Sequence, residues 1–147
     1  MSVTRRAFIG RAGVVLGGAP LAGLLAGCAA ATALRVRPEN GVLRVDLASV
    51  PDLQPGGSGV AAIQAADDGE HLFIVRQPSG SFVTVSSTCT HRGCTVEAKT
   101  DRFVCPCHGS TYSLAGDVLK GPAELALRKY GTVVQGTALI IDYRRQT

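Results

Sequence analysis

The sequence predicts an all-β, antiparallel domain. Short runs of alternating apolar and polar residues recur along its second two thirds, turn-forming residues separate them, and no helix of ordinary length is signalled beyond the N-terminal leader. In order, the runs are Val42–Leu47, His71–Arg76, Ser81–Val85, Arg102–Val104, Gly131–Gln135 and Thr137–Tyr143. Asp67-Asp68-Gly69, Pro78-Ser79-Gly80 and Gly116-Asp117 supply turns, and the Pro/Gly/Ser stretch 51–59 supplies a longer loop. With neither repeats nor low-complexity tracts, chemistry is expected in the loops of this scaffold.

The first third of the 147 residues has a different character. Thr4-Arg5-Arg6-Ala7-Phe8-Ile9 resembles a twin-arginine export signal, and an apolar, glycine-rich stretch from Ala12 to Gly27 follows it. That likeness implies a bacterial protein exported after folding, as a chain carrying a cofactor inserted in the cytoplasm would need to be. Leu25-Ala26-Gly27-Cys28 then resembles a lipobox, which would make Cys28 the lipidated N-terminus of the mature protein. The competing reading retains Ala12 to Leu34 as an uncleaved anchor, long enough to span a bilayer core although Pro20 and the glycines weaken it. Both readings hold the folded part at a membrane, on its outer face. The expected division is a signal or anchor over 1–27, an attachment cysteine and tether over 28–40, and a folded domain over 41–147. A tether of five residues, Ala29 to Ala33, reaches at most about 17 Å.

Charge excludes one class of partner. The chain has a net charge of +4 from 15 Lys and Arg against 11 Asp and Glu, but Arg5, Arg6 and Arg11 belong to a leader without acids. From Cys28 onward 12 basic residues face 11 acidic ones, and no aromatic-basic patch is present, so nucleic-acid binding is not expected.

Cysteine and histidine carry the chemical signal. Of five cysteines, Cys28 stands alone and the rest fall in two boxes, Cys89-Thr90-His91-Arg92-Gly93-Cys94 and Cys105-Pro106-Cys107-His108-Gly109-Ser110. Each box offers two sulfurs and one imidazole beside a glycine that allows a tight turn. Such a set can make a Cys2His2 metal site with two cysteines to spare, and zinc accepts those ligands as iron does. The C-x-H spacing is tighter than zinc sites usually use, and the spare thiols fall one per box, where a disulfide would pin the two loops in an oxidising compartment.

The paired boxes C-T-H-R-G-C and C-P-C-H-G-S resemble those of Rieske iron-sulfur proteins of the disulfide-containing, respiratory kind. The likeness extends through Gly121-Pro122-Ala123, where that family has its proline loop, and covers roughly Ser81 to Tyr143. It implies a Rieske-type antiparallel β domain with a small cluster-binding subdomain and one [2Fe-2S] cluster. Cys89 and Cys105 would bind one iron, His91 and His108 the other, and Cys94 and Cys107 would form the disulfide. Imidazoles in place of two thiolates raise the potentials of such clusters to roughly −150 to +300 mV. By the same resemblance the Ser110 hydroxyl would donate to a bridging sulfide and the Tyr112 hydroxyl to the Cys89 sulfur, favouring the upper end of that range.

One residue departs from the family pattern. Arg92 stands where quinol-oxidising members carry an apolar residue, usually leucine, at the tip where the partner docks. A guanidinium is costly to bury in an apolar pocket unless it is paired. With Pro122, Arg92 is therefore the candidate docking residue, suited to an acidic face on a soluble carrier. The expected function is one-electron transfer by a membrane-tethered protein, as a carrier or as the small subunit of a respiratory oxidoreductase, without substrate chemistry of its own. Its partner would be a cytochrome or an oxidoreductase subunit. The alternatives are the iron-sulfur subunit of a quinol:cytochrome c reductase, with quinol as a further partner, and a zinc-stapled binding module. His71, Arg144 and Arg145 are expected to be solvated surface residues.

Overall fold

A computed structural model of the chain describes residues 33–66 and 69–146. The twin-arginine pair, Cys28 and the turn residues Asp67 and Asp68 lie outside the described residues. Eleven strands are present among those described, with two 3-10 turns and no α-helix.

Seven strands form the base of the domain. In chain order these are β1 (Leu34–Val36), β2 (Val42–Asp46), β3 (Val60–Ala65), β4 (His71–Arg76), β5 (Phe82–Ser86), β10 (Lys129–Gln135) and β11 (Ala138–Gln146). They lie side by side in the order β1-β3-β4-β5-β10-β11-β2. Period-two patterning decides which way they face. Leu43 and Val45 of β2 meet Ile141 and Leu139 of β11 across the antiparallel ladder, and all four are buried. Ile63, Leu72 and Ile74 extend the same core across β3 and β4.

Four short strands make a second sheet in the order β6 (Glu97–Ala98), β7 (Arg102–Val104), β8 (Thr111–Ser113) and β9 (Val118–Lys120). A second core lies between it and the base, where Val75 of β4 and Val85 of β5 meet Val96, Phe103, Tyr112 and Leu127 with the sulfur-bearing Cys89 and Cys105. Phe73 on β4 stacks on Phe103 with ring centroids 4.9 Å apart, an aromatic contact that joins the small sheet to the base.

A buried-side carboxylate ties the base strands to each other. Glu70 accepts from the Ser86 hydroxyl at 2.9 Å and the Tyr143 hydroxyl at 3.0 Å, and pairs with Arg128 at 3.3 Å. Tyr143 stacks on Tyr130, whose hydroxyl is pushed up to about 12, first by burial and then by the nearby Glu70.

The six expected strand runs are all present, with ends shifted by up to three residues. Five strands were not foreseen. Three of them, β6, β8 and β9, have only two or three residues and give little alternation, although the equally short β7 was expected. In β3 the inward positions are Ala61, Ile63 and Ala65, and alanine gives little strand signal. The fifth, β1, pairs parallel to β3, the one departure from the antiparallel expectation among the described residues. It occupies part of the expected tether and takes in Leu34, the last residue of the alternative anchor, so the folded part reaches back past residue 41. Asn40 and Gly41 follow it with φ of +51° and +76°, making the tight Asn-Gly turn that brings the chain into β2.

Phe103→Ala should lower the unfolding free energy by about 3–5 kcal/mol. Leu125→Ala, at a side chain 71% exposed, should change it by less than about 0.5 kcal/mol. Urea titration of the two variants measures both.

Candidate metal centre

Both boxes are hairpin tips. An isolated bridge between Thr88 and Thr95 closes the neck of the first beyond β5, and the Val104–Thr111 pair of β7 and β8 closes the second. They repeat one backbone pattern. Cys89 N–H donates to the Cys94 carbonyl and Gly93 N–H to the Cys89 carbonyl, each at 2.8 Å. Cys105 N–H donates to the Ser110 carbonyl at 2.8 Å and Gly109 N–H to the Cys105 carbonyl at 3.0 Å. Gly93 and Gly109 occupy equivalent places at φ of +78° and +76°, backbone conformations that other residues adopt only under strain.

A disulfide between Cys94 and Cys107 joins the two tips. Cys89 and Cys105 remain free thiols, both buried. The rings of His91 and His108 meet edge to face with centroids 4.9 Å apart. His108 is exposed and His91 half-buried. His91 Nδ1 is buried and has no hydrogen-bond partner in the protein, a state that buried ring nitrogens rarely tolerate unless something else binds them. Two buried thiols and two imidazoles thus converge from opposite hairpins, one imidazole with an uncommitted nitrogen, and this donor set suits a metal group taking two sulfurs and two nitrogens. The sulfurs of Cys94, Cys105 and Cys107 also lie within 4.8 Å of one another, but two of them are consumed in the disulfide, so that trio offers a metal only Cys105.

Hydrogen bonds prepare the Cys89 sulfur for negative charge. Burial pushes its thiol up, but the Tyr112 hydroxyl, the backbone N–H groups of His91 and Arg92 and the Cys105 thiol outweigh it, and the net displacement is downward. Tyr112, fully buried, moves the other way because of burial and the adjacent Cys89. Its hydroxyl lies 3.2 Å from Cys89 Sγ and 3.1 Å from Thr90 Oγ1, and its single proton, when turned toward Cys89, offsets negative charge on that sulfur.

A third loop, between β9 and β10, closes over the pair. Ala123 N–H donates to Ser110 Oγ at 3.0 Å, which leaves the buried serine hydroxyl its own proton to donate. Thr90 Oγ1 donates to the Leu125 carbonyl at 2.6 Å, and Thr90 N–H to the Tyr112 hydroxyl at 3.2 Å. Thr90 thus links the first box, Tyr112 and the third loop. It lies inside the quoted box, but a threonine between two ligand-type residues carries no metal-binding signal of its own. The loop also leaves a cleft of about 320 Å³ lined by Thr90, His91, Pro122, Glu124 and Leu125. Pro122 therefore sits beside His91, while Arg92 is exposed and does not line this cleft. Ser110 and Tyr112 converge on the boxes, His71 lies at the exposed start of β4, and Cys28 falls outside the described residues.

The chain resembles known proteins in sequence and in fold. The chain is 37% identical over 75 residues to the cytochrome b6-f complex iron-sulfur subunit of Chlorobaculum thiosulfatiphilum, a match covering 50% of this chain and 41% of that protein. It therefore spans less than half the length of that relative. The plasma membrane Rieske protein of the cyanobacterium Synechocystis PCC 6803 superimposes with a TM-score of 0.54 at 36% identity, over 63% of this chain and 92% of that one. A chain of a hyperthermophilic respiratory Complex III gives a TM-score of 0.53 at 29% identity, over 65% and 71% of the respective chains. The family model for the Rieske [2Fe-2S] domain matches residues 44–131, more than half of the sequence. With both boxes, the disulfide and the prepared Cys89 sulfur inside that span, the chain belongs to the Rieske [2Fe-2S] domain family, and its cofactor is a [2Fe-2S] cluster.

Proposed function

We propose that the protein is a membrane-tethered one-electron carrier of the outer membrane face, with Cys89 and Cys105 holding one iron of the cluster and His91 and His108 the other. The observation that carries the ligand set is the partnerless, buried Nδ1 of His91 opposite two free, buried thiols. When bound, the cluster supplies reversible acceptance of a single electron. The surrounding residues set how readily it does so. Donors aimed at Cys89 Sγ, Tyr112 first among the side chains, stabilise the added negative charge and raise the potential. Exposed His108 and half-buried His91 give electrons their shortest way out, and an imidazole at the surface is placed to exchange its proton with solvent as the charge changes.

The tether reading draws on the twin-arginine pattern and on Cys28, whether lipidated or preceded by a retained anchor. It is supported by the similarity to a Rieske protein described as belonging to the plasma membrane. Arg92 sets the kind of partner. An exposed guanidinium at the cluster tip suits an acidic patch on a soluble redox protein such as a cytochrome. A second reading, the iron-sulfur subunit of a quinol:cytochrome c reductase, is favoured by the relatives in b6-f and Complex III assemblies and by the His91 cleft with its exposed Leu125.

Tyr112→Phe should lower the reduction potential by roughly 65–130 mV, equivalent to ~1.5–3 kcal/mol for a hydrogen bond to a charged group. Voltammetry on the loaded protein reads this shift, and an unchanged potential would contradict the role assigned to Tyr112. For the carrier reading, Arg92→Glu should slow electron transfer to an acidic cytochrome about tenfold at low salt, with the difference vanishing at high ionic strength. Should Arg92→Glu leave that rate unaltered while Arg92→Leu speeds quinol oxidation, the reductase-subunit reading would replace it.

A further inference from the structure

We propose that the site has a covalent chemistry of its own: without the cluster, the Cys105 thiol exchanges with the Cys94–Cys107 disulfide, giving a Cys94–Cys105 disulfide and a free Cys107 thiol. This rests on the reading that Cys105 is an iron ligand in the loaded protein. The observation behind it is the sulfur trio. Cys105 is a free thiol whose Sγ lies within 4.8 Å of both sulfurs of an intact disulfide. Exchange requires a thiolate to approach a disulfide sulfur in line with the S–S bond, and holding attacker and target in one hairpin pair leaves only a local movement of the loop tips to reach that line.

The atoms and electrons balance without any outside reagent. Cys105 gives up its proton, its sulfur bonds to Cys94 Sγ, the Cys94–Cys107 bond breaks, and Cys107 leaves as a thiolate that takes up a proton. One thiol and one disulfide stand on each side, so nothing is oxidised or reduced overall. Two features favour this product. Cys107 is exposed, so its thiolate leaves into water, whereas Cys105 is 1% exposed. The new bridge also still joins the two boxes: its cysteines are 11 apart in sequence (105 minus 94) against 13 in the original, so the chain-entropy gain from the crosslink is almost unchanged. Attack on Cys107 instead would link residues two apart and leave the boxes unpinned.

Iron bound to Cys105 removes the attacking group, so the loaded protein keeps the Cys94–Cys107 bridge. Loss of the cluster becomes a covalent change, because the exchanged form has no free Cys105 with which to rebuild the site. Cluster insertion must then precede disulfide formation, or a thiol reductant must act first. Both orders suit a protein loaded in a reducing compartment before export.

Disulfide mapping tests the exchange directly. Full-length loaded protein, and the same protein stripped with a chelator, are trapped with a maleimide in denaturant without reductant, and tandem mass spectrometry locates each label. Among the four box cysteines, loaded protein should show labels at Cys89 and Cys105 only. Stripped protein should gain label at Cys107 with time, matched by a Cys94–Cys105 crosslinked peptide, and Cys105→Ser should abolish the Cys107 label. Stripped wild-type protein whose box cysteines stay labelled at Cys89 and Cys105 alone, with only the Cys94–Cys107 bridge, would overturn the exchange and leave the ligand reading standing. A Cys94–Cys105 bridge in fully loaded protein would instead overturn the assignment of Cys105 as a ligand.

Discussion

Two six-residue loops cannot bury enough apolar surface to fold against each other, yet here they hold two buried thiols and a pair of imidazoles together. The Cys94–Cys107 disulfide meets that demand by fixing the two hairpin tips in one arrangement. It acts on loops already stiffened from within, since each repeats the same pair of backbone bonds closed around Gly93 or Gly109. Crosslinking loops that are already ordered costs little in native strain and removes freedom mainly from the unfolded chain. The remaining construction serves these two tips: the small sheet carries the second, β5 carries the first, and the Phe73–Phe103 stack keeps both on the base.

Within this cage the balance at Cys89 shows how burial and charge are reconciled. An isolated thiolate in an apolar core would be expensive, and burial alone pushes the Cys89 thiol up. Donors from Tyr112, from the His91 and Arg92 backbone and from Cys105 reverse that displacement. Tyr112 is in turn held by Thr90, and Thr90 by the Leu125 carbonyl of the third loop. The loop over the cluster and the electronics of its sulfur are thus mechanically linked. A shift of the third loop's backbone at Leu125 is therefore passed through Thr90 and Tyr112 to the Cys89 sulfur.

Much of this was readable from the residue order. The six strand runs, the two boxes, the proline loop and the flanking Ser110 and Tyr112 were all visible, because alternation over five or six residues and clustered cysteines are strong signals. Most short strands, Arg102–Val104 being the exception, were not visible, since two or three residues such as Glu97–Ala98 hardly display a period. Nor was β1, hidden in what composition suggests is a tether and held by parallel pairing with β3. Thr90, Glu70 and the cleft beside His91 were out of reach for another reason. Their roles come from contacts between segments distant in sequence, as with Glu70 and Tyr143, and no local pattern announces those.

The central claim is that His91 and His108 bind iron opposite Cys89 and Cys105. Pulsed electron paramagnetic resonance on the reduced protein, grown with nitrogen-15 histidine, tests it most directly. Two distinct histidine nitrogens coupled to the unpaired spin are predicted, with one of them lost in a variant that loses His91. A reduced protein with no histidine coupling, or one silent in resonance and loaded with zinc, would contradict the account.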